Sequence, residues 1–352
     1  MTARIWLMEG LSSQRDIIQG INAFTTRLQA DVEVFASHRH QRNEILSQAD
    51  FALLEPADEQ QRLAFIIDTV KKHAIQAIHT GRNTQWFETQ RTAIEACGVT
   101  LVTGATGADL LALADDKVAF AQLMEKHGLP VVPSIAVTSI AELRQLITAS
   151  PFSAQPLCIK PVKGIYGMGF WRFDDSVSPM AGFTHPESRK VNTHRYLNAL
   201  EESGSFEPLV LMPYLPGPEY SVDILAEQGK VLAAVARRKE GALQYLENSG
   251  EAFELARHCA QLMGADGLVN VQTRHDSSGK PLLLEINMRP SGGIGYTRFS
   301  GVNLSGLFAF RQLGLMSQQA VSDEASRAFS PATVRSVTDV INYSTALPNF
   351  IQ

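Results

Sequence analysis

The segment 267–295, GLVNVQTRHDSSGKPLLLEINMRPSGGIG, constrains this chain more than any other stretch. Two aliphatic, β-branched runs, 268–274 and 281–289, flank Asp276, Ser277, Ser278, Gly279 and Lys280, all turn formers but the last, and the spacing predicts a β-hairpin. Side chains alternate between the two faces of a strand. Leu283, Glu285, Asn287 and Arg289 therefore share one face of the second strand, while Leu284, Ile286 and Met288 take the other. A turn centred on Ser278 and Gly279 sets Gln272 opposite Glu285 and Asn270 opposite Asn287. A carboxylate, amide oxygens and a guanidinium then share a face beside the flexible Ser291, Gly292 and Gly293. Hard oxygen donors of this kind suit a Mg²⁺ ion that keeps water and nucleotide phosphate as its other ligands, with Arg289 bonded to a phosphate oxygen. The same residues also suit a merely hydrated sheet face on which Glu285 and Arg289 form a surface ion pair.

At 352 residues the chain has the length for two or three domains, and 45% hydrophobic with 19% charged residues is the composition of an ordinary soluble globular protein. A net charge of −5 argues against nucleic acid as a partner held through a basic surface. The opening MTARIWLMEG lacks the apolar length and cleavage pattern of a signal peptide, and no window reaches the length of a membrane-spanning helix. A cytoplasmic protein without a membrane partner is the expectation. Cys97, Cys158 and Cys259 stand far apart and suggest neither a disulfide framework nor a zinc site.

The first third alternates strands with helices. Apolar runs at 4–8, 32–36, 51–54, 77–80 and 100–103 read as strands, helical patterns occupy 59–73 and 86–97, and Ser12 or Ser13 can cap a helix starting near Gln14. This pattern predicts a parallel, doubly wound sheet, whose ligands would sit at the strand ends 9–12, 37–39 and 80–83. No GxGxxG follows the first strand, so a dinucleotide site is unsupported. His38, Arg39, His40, His79 and Arg82 are either ligand-facing there or simply solvated.

Further along, 110–127 reads as a helix interrupted at Asp115, Asp116 and Lys117 and ended by Gly128. A strand at 156–160 delivers Lys160, and the chain then runs through Lys163, Gly164, Gly167 and Gly169. Glycines so spaced let the backbone approach an anion while a lysine supplies charge; alone they also fit a flexible turn. The absence of GKS or GKT separates this run from a P-loop. The polar stretch 174–193 shows no sustained period and reads as a mobile loop. The strand 209–213 turns at 214–218 into a second strand, 219–226, and Met212, Tyr214 and Leu215 offer backbone groups and apolar flanks to a flat heterocycle. After a turn at Gly229 and Lys230, the strand 231–239 puts Arg237 and Lys239 on one face and Arg238 on the other. Helices at 248–264 and 303–314 follow, with strand-like residues at 334–340 in the tail.

Taken in order, Lys117, the Lys160 glycine run, the 213–219 turn and the Asn-Val-Gln…Glu-Ile-Asn-x-Arg-Pro-Ser-Gly-Gly hairpin resemble the ATP-grasp superfamily, nearest its carbamoyl-phosphate-synthetase-like members, over roughly 110–314. The resemblance implies an α/β and α+β fold, with a Rossmann-like pre-ATP-grasp lobe at 1–110, a first grasp lobe at 111–205, a second at 206–315, and a tail at 316–352 packing on the grasp. It implies ATP held by Lys117, Lys160, Lys163, Gly164, Gly167 and Gly169, adenine at Met212, Tyr214 and Leu215, ribose on Glu219, and Mg²⁺ or Mn²⁺ on Gln272, Glu285 and Asn287. Lys160, Arg289 and Arg237, chosen over Arg238, would face the reacting phosphates. For Lys117 an exposed helix lysine, and for Glu219 an edge-strand carboxylate, remain the plain alternatives. Many members carry an acidic residue where Met212 stands, so adenine would be read here by backbone alone. The implied reaction is activation of a small carboxylate as an acyl phosphate and its capture by an amine or similar nucleophile, releasing ADP and phosphate. A carbamoyl-phosphate or carboxylase-like enzyme and a catalytically silent nucleotide-binding module are the other readings, and a homodimer is compatible with each.

Overall fold

The computed structural model describes residues 2–10, 13–153, 155–164 and 167–351. They form two compact units, one made of Met1–Ala112, Pro218–Gln272 and Ile286–Gln352, the other of Leu113–Gly217 and Thr273–Glu285. No helix among the described residues is long and apolar enough to cross a membrane.

In the first unit, β1 (Ala3–Leu7), β2 (Val32–His38), β3 (Phe51–Leu54), β4 (Ala77–His79) and β5 (Thr100–Val102) form the expected parallel sheet, ordered β3-β2-β1-β4-β5. Strand alternation divides the core. Ile5 and Leu7 point to a cluster shared with Phe24 of α1 (Gln14–Leu28) and Phe308 of the helix Leu304–Gln312. Ile45 and Leu46 of the short α2 (Asn43–Leu46) join the same cluster, while Trp6 and Met8 point the other way to Ile66 of α3 (Glu59–His73) and Phe87 of α4 (Thr84–Glu95). Asp58 caps α3 by accepting from Gln61 N, whereas Ser13 at the start of α1 makes no side-chain cap; Ser12 lies outside the described residues.

The same unit contains a mainly antiparallel sheet in which Glu219–Glu227, Lys230–Glu240, Leu243–Glu247 and Ala332–Val334 follow one another, with Ala265–His275 on the other side of Glu219–Glu227. The turn between its long strands is Gln228-Gly229, at φ 50° and 82°, one residue earlier than read from sequence, because a two-residue hairpin turn takes two left-handed positions. The expected strand at 334–340 is corrected to Ala332–Val334, the length that Leu243–Glu247 can pair. That partner strand and the helix Gln318–Ala328 escaped sequence reading. The first is a short edge, and the second buries only Val321 and Ala325. Beyond them the chain returns to β3, where Ala52 N donates to Asn349 O at 2.8 Å and Ile351 N to Ala52 O at 3.0 Å.

The second unit is built on a sheet ordered Lys190–Val191, Trp171–Phe173, Leu157–Pro161, Leu209–Pro213, Ile135–Val137. Helices Ile140–Ala149 and Thr193–Ser203 cover one face, where Ile159, Leu209 and Leu211 pack with Leu143 and Leu197. On the opposite face Cys158, Val162, Val210 and Met212 gather with Leu215, Leu282 and Leu284. The stretch expected as a mobile loop instead holds a short helix, Ala181–Thr184, a 3-10 turn, Pro186–Ser188, and the edge strand Lys190–Val191, tied by Lys190 to Asp174 at 3.0 Å. Backbone pairing with Trp171–Phe173, which leaves no apolar period, is what orders it.

Gly104 pairs with Asp266 at the head of Ala265–His275, and at φ +101° a Cβ on it would stand 1.9 Å from Met288 O. Gly104→Ala is therefore expected to destabilise the protein by on the order of 3 kcal/mol. Gly98→Ala, at φ +81° with nothing within 4 Å, should lose about 1 kcal/mol. Thermal denaturation of the two variants side by side measures the difference.

Candidate functional site

Lys117 owes its place to its neighbour. Asp116 accepts from Val118 N and Ala119 N, both at 3.0 Å, and this cap ends one helix, Ala108–Asp115, and starts the next, Lys117–Lys126. The lysine is buried rather than exposed, and its Nζ donates to Val162 O at 3.1 Å and to Gly164 O at 3.4 Å. Lys160 arrives by strand alternation, on the face of Leu157–Pro161 that the helices leave uncovered. Both ammonium groups lean on one carboxylate, Lys117 at 3.9 Å and Lys160 at 3.6 Å from Glu285 Oε2. Burial lowers the Lys117 pKa, Lys160 adds to the lowering, and Glu285 opposes it. The structure thus joins Lys117, Lys160 and Glu285 with the start of the glycine run. Gly164, Gly167 and Gly169 belong to that run, with Gly169 so close to Pro161 that a Cβ would meet its ring at 2.8 Å. Lys163 follows Val162 on the exposed side, and Ile165 and Tyr166 lie outside the described residues.

The strand Leu209–Pro213 runs beside this cluster, with Val210 opposite Lys160 and Met212 opposite Cys158. Met212 and Leu215 are buried in the apolar cluster, and Tyr214 lies under Arg172, whose guanidinium carbon is 4.3 Å from the ring centroid. The unit therefore supplies an apolar wall next to two lysines. Lys160 and Lys117 were legible as basic residues, but not their convergence on Glu285.

The remaining expected residues lie in the first unit. Glu219 accepts from Lys239 Nζ at 2.5 Å, its cross-strand partner. Gln272 is half-buried on Ala265–His275, and Asn287 Oδ1 accepts from Arg289 Nη2 at 3.1 Å. Arg237 lies elsewhere in kind: it is 3% exposed and inside a polar network. Its Nε donates to Asp223 Oδ2, Nη1 to Gln244 Oε1 and Nη2 to Ser221 Oγ and Ser291 Oγ, each at 2.8 Å. Asn270, which alternation grouped with Gln272, is buried in the same network and donates to Asp223 Oδ1 at 2.9 Å. Gly293 packs on the guanidinium, where a Cβ would fall 2.5 Å from Nη1. Ser221 and Asp223, alternating with apolar residues in the buried middle of their strand, were the sequence signal for this network. Arg238 pairs instead with Glu247 at 2.8 Å and with Glu240, over the ring of Tyr245.

Comparison with known proteins bears on what this arrangement is. The chain resembles the crystal structure of N5-carboxyaminoimidazole synthetase from Staphylococcus aureus complexed with ADP, with TM-score 0.65 and 14% identity, over 89% of this chain and 77% of that one. It also resembles the L-amino acid ligase from Bacillus licheniformis, with TM-score 0.62 and 16% identity, over 94% of this chain and 78% of that one. Residues 205–340 match the family described as ATP-grasp in the biosynthetic pathway with Ter operon. The chain has the ATP-grasp fold. Among curated proteins, the carbamoyl phosphate synthase large chain of Clostridium beijerinckii is 23% identical over 61% of this chain, and the match spans about a fifth, 20%, of that protein.

Because Arg237 and Asp223 are a buried pair, truncating one leaves the other uncompensated. Arg237→Met is expected to destabilise the protein by about 3–5 kcal/mol, and Arg238→Ala, at the surface, by about 0.5 kcal/mol or less. Chemical denaturation of both variants checks this; equal stability would show that the network holds nothing together.

Proposed function

We propose that the chain is an ATP-dependent ligase that activates a small carboxylate as an acyl phosphate and passes it to an amine or similar nucleophile. The observation that carries this reading is the convergence of Lys117 and Lys160 on Glu285 at 3.9 and 3.6 Å beside a glycine run. Both ammonium groups share this one carboxylate, with Asp115 and Asp116 acting on Lys117 more weakly, and an oligophosphate would add the negative charge that the pair accepts. In this reading Lys160 and Lys117 hold the nucleotide phosphates, the apolar wall of Met212 and Leu215 flanks adenine, and Glu219 accepts from ribose. Lys163, Gly164, Gly167 and Gly169 close over the phosphates. Arg289 stabilises charge that develops on the transferred group, and Arg237 positions the Ser291–Gly293 turn rather than touching phosphate. The segments 1–110, 111–205, 206–315 and 316–352 are proposed as the pre-grasp lobe, the two grasp lobes and the tail, acting in the cytoplasm.

A Mg²⁺ or Mn²⁺ ion fits the donors present. Gln272, Glu285 and Asn287 offer side-chain oxygen donors and one negative charge between them, the hard donor set such an ion takes. Such an ion, held by these three side chains and arriving with the nucleotide, would neutralise charge on the reacting phosphates. What the chain itself provides is orientation and charge, the terms that dominate phosphoryl transfer. The solved relatives named above include an ADP complex and an amino acid ligase, which supports the nucleotide and the class of reaction.

The test is ADP and phosphate release from Mg²⁺-ATP with pooled amino acids and small carboxylates, with and without amines. Stimulation should need both a carboxylate and an amine. Lys160→Ala and Glu285→Ala should each lower the stimulated rate by about 100-fold or more with little change in melting temperature, and Arg238→Ala should leave it near wild type. Unchanged rates in the first two variants would contradict the reading.

A further inference from the structure

The second unit holds two arginines that the lysine cluster does not use, and strand register places them. Lys160 and Cys158 alternate onto one face of Leu157–Pro161, two residues and so about 7 Å apart along the strand. Cys158 pairs with Met212 on one neighbouring strand and with Arg172 on the other, which sets these side chains in a row on the face that the helices leave uncovered. Arg274 reaches the same place from the end of Ala265–His275, its Nε donating to Gly217 O at 3.1 Å. Both guanidinium groups lie over the Tyr214 ring, Arg172 at 4.3 Å and Arg274 at 5.4 Å from the centroid. Burial pushes the Cys158 thiol up to about 12, and the cations that oppose the rise are Lys160, Arg274 and Arg172. Three positive charges thus surround one apolar patch, to which Leu215, Leu282 and Leu284 add their side chains.

This patch is rich in donors and poor in acceptors. Cys158, Met212, Tyr214 and the two arginines carry no carboxylate or amide oxygen, and Pro213 has no N–H. Pro213 O accepts from the Cys158 thiol at 3.7 Å, and the Tyr214 N–H goes to Pro156 O at 2.6 Å. Arg172 is half-buried, and its Nε is shielded from solvent without a hydrogen-bond partner among the described residues. A buried N–H left unbonded is costly, and packing on Tyr214 alone does not require it. An acceptor brought by a ligand removes that cost.

The edges of the purines decide which base answers this arrangement. Adenine presents N7 as an acceptor beside an amino donor, whereas guanine and hypoxanthine present N7 beside a carbonyl oxygen, two acceptors that a guanidinium fork meets with parallel bonds. Toward Arg172 the adenine amino group would set N–H against N–H. We infer that this patch reads the base of the nucleoside triphosphate and takes a purine with a carbonyl in place of the amino group, guanine or hypoxanthine, at least as well as adenine. Arg172 is the residue that reads the base, with Arg274 beside it and Met212 withholding the acceptor that adenine needs. That a nucleotide lies here with its phosphates toward Lys160 rests on the ligase reading; the choice of base is additional to it.

The experiment is calorimetric titration of the full chain with the Mg²⁺ complexes of ATP, GTP and inosine triphosphate, on wild type, Arg172→Met and Met212→Glu, with melting temperatures alongside. Wild type should bind GTP at least as tightly as ATP, and inosine triphosphate, which keeps the carbonyl but lacks the second amino group of guanine, should follow GTP. Arg172→Met keeps an unbranched stem over Tyr214 and removes the donors, so GTP and inosine triphosphate should weaken about tenfold while ATP changes by less than about threefold. Met212→Glu supplies an acceptor beside two cations and should move the preference toward ATP by about tenfold. Wild type binding ATP more tightly than GTP, inosine triphosphate failing to follow GTP, or an ATP-to-GTP ratio unmoved in a folded Arg172→Met overturns the inference and leaves the ligase reading in place. Binding of none of the nucleotides removes both. GTP binding that follows Arg172 but is indifferent to Lys160→Ala supports the base site and removes the ligase reading instead.

Discussion

Lys117 and Lys160 share one carboxylate, and the rest of the second unit is arranged to make that sharing possible. Asp116 sets the start of a helix so that Lys117 is aimed inward; strand alternation puts Lys160 on the uncovered face; the hairpin delivers Glu285. None of these devices is costly alone. Together they hold two like charges 3.9 and 3.6 Å from one carboxylate, which a protein tolerates where a further anion completes the balance or where carboxylates lie within range. Asp115 and Asp116 do act on Lys117 in that sense, but more weakly than Glu285.

Arg237 shows the opposite solution. Its planar fork is matched by Asp223, Ser221, Gln244 and Ser291, and the carboxylate in turn accepts from Asn270. A guanidinium with four of its five N–H groups bonded inside the protein has little left to offer a ligand, yet it fixes whatever backbone packs on it, here the turn at Ser291 and Gly293. The difference between the two sites is not the charge of the residue but whether its partners are sufficient.

Most of the regular elements could be read from the chain because their causes are local. Alternation in β1 and in Leu157–Pro161, the Asp116 cap and the left-handed glycines need only neighbouring residues to act. What could not be read depends on partners distant in sequence. Arg237 was placed on the right strand face, but nothing near it announces Asp223, 14 residues away across a hairpin, or Asn270 one strand further. The stretch ending in Lys190–Val191 has no apolar period because backbone pairing to Trp171–Phe173 orders it. Arg39 and Arg82 were visible as scattered basic residues at strand ends, while Glu9, the carboxylate that both of them bond, comes from a different loop.

The return of the chain to β3 has a consequence for how molecules meet one another. β3 is an outer strand of the parallel sheet, and such a strand offers a row of open N–H and C=O groups to any extended segment that comes near. Asn349 and Ile351 occupy part of that row through Ala52, and Tyr343 anchors the approach by donating to Gln41 O at 2.7 Å. These contacts are few and largely solvent-exposed, so they open more readily than the core. Whether β3 stays closed to another extended segment therefore depends on how firmly a short return segment holds to it.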